Sequence, residues 1–435
     1  MARLNGFTKK QIIDVYRKMA LSRKLDDKML ILLKQGKSFF HIGASGHEAA
    51  QLAAAEMIKP GEDWSFPYYR DGAYCIGLGM TAREQLLSFL AKAEDPNSGG
   101  RQMPQHYGHK DLRVVSQSSP TGTQFLQAVG CAMACKLKKT KEVVYVSSGE
   151  GTTSQGDFHE ALNWASNSKA PVIFHIQDNE YAISTHRSEQ TASTIYNMTS
   201  GYGNLSRYDV NGTDFFETNL AFKEAVQRAR KGKGPSVIVS HVVRLLPHSS
   251  SDDQRKYRSE KDLAEDIKKD PLVILESKCI DENFIKPDEF EKIRTQVDKQ
   301  VDDDAEWADG QDYPDPDTAL DHIYSSQEVV GETNFNSISE KIVIVDAINH
   351  ALLEEMEFNE KMIIYGQDIA DPKGGVFTAT KGLSDQFGGN RVFNSPLAES
   401  SIVGTAVGMA VTGYKPVVEI QFGDYIWTAM MQIRN

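Results

Sequence analysis

The sequence predicts an α/β protein in which a parallel sheet is flanked by helices and is followed by the start of a second α/β unit. Two observations predict this class. From Val143 onward, short apolar runs alternate with segments of helical periodicity, which is the order of elements in parallel sheets. A polar, acidic stretch then separates this region from a second one in which the same alternation begins again. We therefore expect two α/β units in one chain.

The elements of the first unit follow from their periodicity. Helical periodicity dominates the first sixty residues. Residues 143–147 (VVYVS) predict a strand, residues 158–165 a helix, and residues 171–176 (PVIFHI) a second strand, as in a right-handed crossover. A further strand is predicted at residues 236–243, and a charged helical region follows at residues 260–301.

The second unit is predicted from a new helix near Ser339, a strand in KMIIYGQDI and another strand in KPVVEIQF. The acidic residues 301–317 that precede it indicate a solvated surface segment rather than a cation site. The sequence stops inside a helical pattern, so we expect the second unit to be truncated relative to a typical domain. The predicted division is a first domain at 1–325, a linker at 326–338 and a partial domain at 339–435.

Composition argues against several classes of protein. The net charge of −12 argues against a nucleic-acid-binding protein, because phosphate backbones are bound by basic surfaces. Cys131 and Cys135 would share one face of a helix, where two small buried side chains are favoured over a metal pair. The chain has few cysteines, no apolar signal sequence and no apolar run long enough to span a membrane. The sequence therefore favours the cytoplasm, with no membrane partner.

An acidic residue at the end of a predicted strand is the strongest functional signal. Glu150 lies between Gly149 and Gly151 directly after the apolar run, and ligands of parallel sheets bind beyond this end of the strands. The next strand ends at Asn179, 29 residues later (179 − 150 = 29). A carboxylate and an amide oxygen from adjacent strand ends suit Mg²⁺, and the glycines let the backbone approach a bulky anion closely.

This pattern resembles the motif with which thiamine diphosphate enzymes hold Mg²⁺ and the diphosphate of the cofactor. The resemblance implies that the backbone carbonyl of Tyr181 is a third metal ligand, beside Glu150 and Asn179. Where relatives carry Asn-Asn, this chain has Asp178 followed by Asn179, and the ligand position is kept.

Longer strings extend the resemblance to almost the whole chain. GRQMPQHYG, SSPTGTQFLQAVG, GEGTTSQGDFHEALNWAS and HSSSDDQRKYRS resemble the α part of the decarboxylating component of 2-oxo acid dehydrogenase complexes. GGVFTATKGL, RVFNSPLAESSIVG and EIQFGDYIW resemble the start of its β part. The resemblance implies a thiamine diphosphate-binding, transketolase-like fold followed by a partial pyrimidine-binding domain, with both parts joined in one chain.

The resemblance also assigns residues to the cofactor's phosphates. Tyr69, Arg70 and Arg244 match positions that hold the diphosphate, and the guanidinium fork suits phosphate oxygens. Gln177 stands where relatives often carry a further arginine. Either phosphate affinity is weaker in this chain, or another cation takes the place of that arginine.

Residues of the SSPTGTQ loop match two further sites. The positions that contact the aminopyrimidine and support the bent shape of the cofactor are Ser119 and Thr121, the latter where a larger aliphatic side chain is usual. A structural potassium site of branched-chain members is matched by Ser118, Pro120, Thr123 and Gln124. These four residues supply oxygen ligands, although the same residue types are also ordinary in turns.

Proton handling is assigned to two residues in different units. His248 matches a histidine near the reactive ring that helps to pass the acyl group to the lipoyl arm. Glu399 matches the glutamate that binds the pyrimidine ring nitrogen, and its apolar neighbours predict that its side chain is buried. Gln421 and Tyr425 match further contacts on the pyrimidine side.

The resemblance implies oxidative decarboxylation of a 2-oxo acid, with acyl transfer to the lipoyl group of a dihydrolipoyl acyltransferase. Branched-chain 2-oxo acids are favoured, and pyruvate or acetoin dehydrogenase components are the alternatives. The cofactors implied are thiamine diphosphate, Mg²⁺ and K⁺, and the implied assembly is a homo-oligomer that pairs α-like with β-like parts. Two alternatives from other classes are a catalytically inert fragment and a Mg²⁺-dependent phosphatase, whose DxD signature occurs only in the acidic stretch.

Overall fold

The structure is a computed structural model, and it describes residues 3–321, 323 and 341–435. The chain divides into two units, Met1–Tyr313 and Pro314–Arg434. The predicted linker at 326–338 lies outside the described residues.

A parallel sheet forms the centre of the first unit. The strands of this unit are β1 (Arg3–Leu4), β2 (Phe7–Thr8), β3 (Trp64–Phe66), β4 (Val144–Gly149), β5 (Val172–Asp178), β6 (Tyr181–Ala182), β7 (Thr185–His186), β8 (Ser206–Asn211) and β9 (Ser236–His241). The central sheet has the strand order β3-β4-β5-β9-β8, and each neighbouring pair in it is parallel. The predicted α/β class with a parallel sheet is confirmed.

Helices cover this sheet. They are α1 (Lys9–Lys34), α2 (Glu48–Ala55), α3 (Gly72–Leu78), α4 (Ala82–Phe89), α5 (Thr123–Leu137), α6 (Gly156–Ser168), α7 (Arg187–Gln190), α8 (Ile195–Met198), α9 (Phe215–Arg230), α10 (Glu260–Lys268), α11 (Pro271–Asp281) and α12 (Pro287–Asp309). The long helix α1 begins at a capping box, in which the Thr8 side chain accepts from the Gln11 amide and the Gln11 side chain accepts from the Thr8 amide.

The register of β4 and β5 positions the ends of both strands at one edge. Val144 pairs with Val172 at the start, and Gly149 pairs with Gln177 at the end. Nearly all side chains of the two strands are buried, as expected for a sheet covered on both faces. The residues that follow these strands therefore emerge together, with α6 as the crossover between them.

The expectation that residues 301–317 form a solvated surface segment is wrong for their first half. Helix α12 continues through Asp309, and its buried positions in this segment are Val301, Asp304, Ala305 and Ala308. The Arg83 Nε donates a hydrogen bond of 2.6 Å to Asp304. Exposed acidic residues and buried residues thus lie on different faces of one helix, so the number of charges alone does not show that part of the segment is buried.

The second unit contains a smaller parallel sheet. Its strands are β10 (Met362–Gly366), β11 (Val392–Asn394) and β12 (Lys415–Glu419), in the spatial order β11-β10-β12. Its helices are α13 (Ile344–Phe358), α14 (Leu383–Phe387), α15 (Glu399–Val411) and α16 (Met430–Arg434). The strands predicted in KMIIYGQDI and KPVVEIQF are confirmed as β10 and β12. The helix predicted near Ser339 begins at Ile344 within the described residues, and Ser339 itself lies outside them.

Two predictions from composition can be compared with the fold. Cys131 and Cys135 both lie on α5 and both are buried, as predicted for small side chains of the core. In the parts of the chain that the structure describes, no helix is long and apolar enough to cross a membrane.

Candidate active site

A cavity of about 330 Å³ opens at the edge where β4 and β5 end. Most of the predicted cofactor-binding residues of the first unit line it: Tyr69, Arg70, Ser119, Thr121, Gly149, Glu150, Gly151, Asn179, Tyr181 and His248. They come from distant parts of the sequence, and the parallel strand order brings them to the edge where open α/β sheets bind ligands. The grouping agrees with the expectation from the sequence, whereas the role of each residue remains a prediction.

Glu150 is the acidic residue of this cavity, and its two carboxylate oxygens have different surroundings. Oε2 accepts a hydrogen bond of 3.2 Å from the backbone N–H of Asn179. Oε1 is buried and has no hydrogen-bond partner among the described residues. Burial, followed by repulsion from Asp178, raises the pKa of Glu150 to about 7. A buried carboxylate oxygen without a donor is suited to a cation.

Asn179 and Tyr181 supply the other oxygens expected for a metal. Asn179 Oδ1 accepts a hydrogen bond of 3.3 Å from the Tyr181 N–H. The Tyr181 carbonyl accepts a contact of 3.4 Å from Arg244 Nη1. One carboxylate, one amide and one backbone carbonyl are hard oxygen donors, and such a set fits Mg²⁺. Clusters of three or more His, Cys, Asp or Glu with metal-binding geometry do not occur within the described residues.

The glycines on either side of Glu150 have different surroundings. A Cβ on Gly149 would meet no atom closer than Gln177 O at 4.0 Å, so space lies open beside this residue. A Cβ on Gly151 would lie 2.5 Å from the Ala182 Cβ. Gly151 is therefore required by packing, and Gly149 leaves room for a ligand to approach the backbone.

The two predicted phosphate arginines are held differently. Arg70 lines the cavity, and its Nη1 donates a hydrogen bond of 2.6 Å to the Gly43 carbonyl. Arg244 is not among the lining residues. Its Nη2 donates to the Ile183 carbonyl at 3.0 Å and to the Tyr257 hydroxyl at 2.6 Å. Arg244 thus supports the loop that carries Tyr181, and its direct contact with phosphate remains a prediction.

His248 is neutral over the ordinary pH range. Burial, together with the charges of Arg70 and Arg244, lowers the pKa of its imidazole to about 3. Arg70 Nη2 lies 3.4 Å from Nδ1. Since a guanidinium can only donate, Nδ1 accepts and Nε2 carries the hydrogen. The backbone N–H of His248 donates to Asp252 Oδ2 at 2.8 Å, which fixes the loop.

The SSPTGTQ loop is closed by its own hydroxyl groups. The hydroxyls of Ser118 and Thr123 donate to the Pro120 carbonyl at 3.4 and 3.1 Å. The Gly122 N–H donates to Gln124 Oε1 at 3.2 Å. Three of the oxygens proposed as potassium ligands, those of Ser118, Pro120 and Thr123, therefore lie close together, and the role of all four residues as ligands remains a prediction.

The cavity also contains residues that motif matching missed. Its remaining lining residues are Tyr68, Thr152, Ala182 and Ile183. Ile183 is 52% exposed and has a φ of +57°, a conformation that is unusual for a β-branched residue. His106 donates from Nδ1 to the Pro104 carbonyl and accepts from the Ser119 hydroxyl at 2.7 Å. The string GRQMPQHYG contains His106, but its contact with Ser119 forms only in the folded chain.

Two of the predicted residues of the second unit, Glu399 and Gln421, meet at the carboxyl end of β10. Glu399 is the first residue of α15, and its Oε1 accepts from Gln367 Nε2 at 3.2 Å. Gln421 Nε2 donates to the Gln367 carbonyl at 3.3 Å and to Asp368 Oδ2 at 2.7 Å. Tyr425 is 42% exposed. Glu399 and Gln421 thus share Gln367 as a neighbour.

The expectation that Glu399 is buried is wrong, because its side chain is only half-buried. The apolar residues before it do not cover it, since Leu397 is 84% exposed. The Thr428 hydroxyl donates to Oε2 at 3.0 Å. Both carboxylate oxygens therefore have partners, at a helix start that suits an acidic residue.

Comparisons with known proteins agree with this arrangement. Residues 16–317 match the family described as the dehydrogenase E1 component, and residues 340–435 match the transketolase pyrimidine binding domain. The chain is 42% identical over 322 residues to a 2-oxoisovalerate dehydrogenase subunit alpha of Bacillus subtilis (strain 168), which covers 74% of this chain and 97% of that relative.

Two further relatives are subunits of another dehydrogenase. The chain is 36% identical over 267 residues to a pyruvate dehydrogenase E1 component subunit alpha of Staphylococcus aureus (strain Mu50 / ATCC 700699), covering 61% of this chain and 69% of the relative. It is 31% identical over 297 residues to the subunit of the same name from Acholeplasma laidlawii, covering 68% and 83%. The resemblance seen in the sequence motifs is confirmed. The chain belongs to the dehydrogenase E1 component family, and it carries a transketolase pyrimidine-binding domain after the E1 domain.

Proposed function

We propose that this protein binds thiamine diphosphate through Mg²⁺ and decarboxylates a 2-oxo acid oxidatively. The observation that carries the proposal is the buried Oε1 of Glu150, which has no hydrogen-bond partner in the described part of the chain and lies at the end of the strand next to the one that leads to Asn179. The residues that would hold the metal are Glu150, Asn179 and the carbonyl of Tyr181. Thiamine diphosphate, when bound, supplies the electron sink for loss of carbon dioxide from the substrate.

The cationic side of the cavity would hold the diphosphate. Arg70 offers a fixed guanidinium, since one of its nitrogens is bound to the Gly43 carbonyl. Tyr69 lies beside it, and burial raises the pKa of its phenol, so that it remains a neutral donor. Arg244 would contribute charge from behind the loop of residues 181–183.

His248 would act on the substrate side of the cavity. Its ring is neutral, with the hydrogen on Nε2, so it presents a hydrogen-bond donor to a carbonyl oxygen of the substrate. In the second unit, Glu399 would hold the pyrimidine nitrogen, with Gln421 and Tyr425 beside it. Ser119 and Thr121 would contact the aminopyrimidine from the first unit.

The direct experiment is a calorimetric titration of the full chain with thiamine diphosphate in the presence of Mg²⁺. We expect saturable binding that disappears when Mg²⁺ is replaced by a chelator. Thiamine monophosphate is the matched control ligand, because it lacks the terminal phosphate and should bind more weakly. Absence of binding at millimolar thiamine diphosphate would support the alternative of an inert fragment.

Branched-chain 2-oxo acids are the proposed substrates. The support is the relative named 2-oxoisovalerate dehydrogenase subunit alpha, of which the chain covers 97%. The pyruvate dehydrogenase relatives make pyruvate the second candidate. Turnover of 3-methyl-2-oxobutanoate, pyruvate and acetoin, measured with a dye as electron acceptor, distinguishes the candidate substrates. A preference for pyruvate or acetoin would exclude branched-chain 2-oxo acids as the main substrates.

A lipoyl-bearing dihydrolipoyl acyltransferase is the proposed partner that accepts the acyl group. We also propose a homo-oligomer that pairs α-like with β-like parts, since an E1 domain and a pyrimidine-binding domain are joined in this chain. The four cysteines are free and buried, which supports a reducing compartment, and we place the protein in the cytoplasm.

A potassium ion is the last part of the proposal, bound by Ser118, Pro120, Thr123 and Gln124. Its support is that the hydroxyl oxygens of Ser118 and Thr123 both lie at the Pro120 carbonyl oxygen. An ion that binds only the folded state stabilises it, and the stabilisation rises with the logarithm of the ion concentration above the dissociation constant. We therefore expect the melting temperature to rise with added K⁺ but not with Na⁺, and equal effects of both ions would count against the site.

A further inference from the structure

A buried histidine lies behind the proposed metal site. His47 immediately precedes α2, and its side chain is fully buried. Its Nδ1 lies 2.8 Å from Gln177 Oε1. On the other side of the ring, Nε2 lies 3.5 Å from Asn179 Nδ2, a long contact between a ring nitrogen and an amide. The ring thus connects Gln177 with a proposed metal ligand.

The orientation of this network is fixed by backbone groups. Gln51 Oε1 accepts from the N–H groups of Ala73 and Tyr74 at 3.1 and 3.3 Å. Gln51 Nε2 donates to the Arg70 carbonyl at 3.0 Å. Backbone N–H groups can only donate and carbonyls can only accept, so the amide of Gln51 has one orientation. Its Nε2 must therefore also be the donor toward Gln177 Oε1, at 2.9 Å.

Gln177 passes this orientation to the histidine. Its Nε2 donates to Asp71 Oδ1 at 2.6 Å, which agrees with Oε1 as the acceptor end of the amide. Facing an acceptor, Nδ1 of His47 must carry the hydrogen. A neutral imidazole then has a lone pair on Nε2, and the group that faces this lone pair must donate. That group is the Nδ2 of Asn179.

We propose that His47 is a positioning residue that turns the amide of Asn179 so that Oδ1, rather than the NH₂ group, faces the metal. The inference rests on the proposed function, because it takes Asn179 as a ligand. The contact of Oδ1 with the Tyr181 N–H agrees with the same orientation. Without His47, the amide of Asn179 would be held by the Tyr181 N–H alone and could rotate to present its donors to a cation, which would weaken binding.

Two substitutions of His47 test the proposal as a matched pair. Asparagine places an amide near the position of Nδ1, where it reaches Gln177, whereas glutamine reaches the position of Nε2 beside Asn179. We expect His47→Asn to weaken binding of Mg²⁺ in the presence of thiamine diphosphate by about tenfold, as for other residues behind metal ligands. His47→Gln should restore most of the affinity. Calorimetry of the full chain measures both.

The control is the melting temperature of each variant in a chelator, which should be equal for the pair. Equal affinity of His47→Asn and the wild type would overturn the proposal. The proposal would also be overturned if His47→Asn and His47→Gln lost affinity to the same extent, because that result is expected if His47 only fills space in the core.

A second measurement needs no cofactor. In the metal-free protein with ¹⁵N-labelled histidine, the ring nitrogens of His47 should show the Nδ1–H tautomer, with the signal assigned by its loss in His47→Asn. The opposite tautomer, or a doubly protonated ring, would overturn the inference. Failure of the wild type to bind Mg²⁺ and thiamine diphosphate would instead refute the proposed function, so the two failures are distinguishable.

Discussion

At the scale of single residues, two buried carboxyl groups in and behind the cavity differ in their hydrogen bonding. Glu150 has one oxygen without a partner among the described residues. Asp71 is also fully buried, but it accepts hydrogen bonds from Gln177, Tyr145 and Ser147. Burial raises the pKa of each to about 7. Glu150, whose Oε1 has no partner among the described residues, is suited to binding a metal, and Asp71 is suited to holding the residues that donate to it.

Glu150→Gln should abolish metal binding without unfolding the protein. Glutamine can still accept from the Asn179 N–H, and removing a buried charge does not cost stability in the metal-free state. We expect the affinity for Mg²⁺ with thiamine diphosphate to fall by more than about 100-fold. Substitution of a residue that only supports a metal ligand already lowers metal affinity by about 10- to 100-fold. Calorimetry measures the affinity, and melting in a chelator is the control. Retained binding would exclude Glu150 as a ligand.

Asp71 should make stability depend on pH. Because its pKa is about 7 in the folded state and about 4 in an unfolded chain, the folded state binds the proton more tightly. Its contribution to the free energy of unfolding is therefore present at low pH and is lost as the pH rises from about 4 to about 7. By the pKa difference, this loss is on the order of 4 kcal/mol.

Asp71→Asn isolates this effect, because asparagine cannot titrate. We expect the wild type to lose stability relative to Asp71→Asn as the pH rises from about 4 to about 7, and to change little above that, in denaturant unfolding curves measured at each pH. The other titrating groups are common to both proteins and cancel in the difference. Parallel stability curves across this range would contradict the raised pKa.

At the scale of elements, the end of β4 combines two glycines that have different functions. Gly149 has an ordinary extended backbone conformation and open space beside it. Gly151 is in contact with the β6 residue Ala182, so its lack of a side chain permits packing. Gly151 is therefore needed for packing of the fold, whereas Gly149 is needed to leave space for the ligand.

Substitution of each glycine by alanine should separate the two requirements. Gly151→Ala should lower the free energy of unfolding by about 1 to 3 kcal/mol, the usual cost of overpacking. Gly149→Ala should melt like the wild type but bind thiamine diphosphate more weakly, because its methyl group enters the cavity. Denaturant unfolding and calorimetry measure the two effects. A loss of stability in Gly149→Ala alone would contradict this assignment.

The same elements show what the sequence could predict. Strands β4, β5 and β9 are buried apolar runs, so their positions could be predicted, and adjacency of β4 and β5 made Glu150 and Asn179 neighbours. Strand β8 was missed because it lies at the sheet edge and most of its side chains are only partly buried. Strand β11 has three residues, too few for a periodic signal.

The site was predicted only where a motif or a strand end pointed to it. His47 was missed because its partners Gln51, Gln177 and Asn179 come together only through folding. The burial of Glu399 was predicted wrongly, since apolar neighbours in sequence do not determine which of them cover the side chain. Three-dimensional packing decides both points.

At the scale of the whole molecule, the predicted functions are divided between the two units. The first unit contains the residues proposed for the metal and the diphosphate. The second contains Glu399 and Gln421 around Gln367, which are proposed for the pyrimidine. Binding of the cofactor's tail and activation of its ring are therefore separable by mutation.

Glu399→Gln should lower turnover with little effect on cofactor affinity. A neutral amide cannot take part in the proton transfer, and such steps contribute about 100- to 10,000-fold to rates. We expect a loss of kcat within this range, measured with 3-methyl-2-oxobutanoate and a dye acceptor. Calorimetry should find binding of Mg²⁺ and thiamine diphosphate close to that of the wild type. A loss of affinity as large as that in Glu150→Gln would contradict the division between the units.

The charge of the cavity has a consequence for how ligands are loaded. Among the described residues that line the cavity, Glu150 is the one carboxylate, so a divalent cation held there keeps an uncompensated positive charge. We therefore expect the metal alone to bind weakly, and an anion that neutralises its charge to bind more tightly when the metal is present. Thermodynamic reciprocity requires that each ligand strengthen the binding of the other by the same factor. Mg²⁺ and the diphosphate should therefore enter and leave this protein as a cooperative pair, with the half-loaded states sparsely populated.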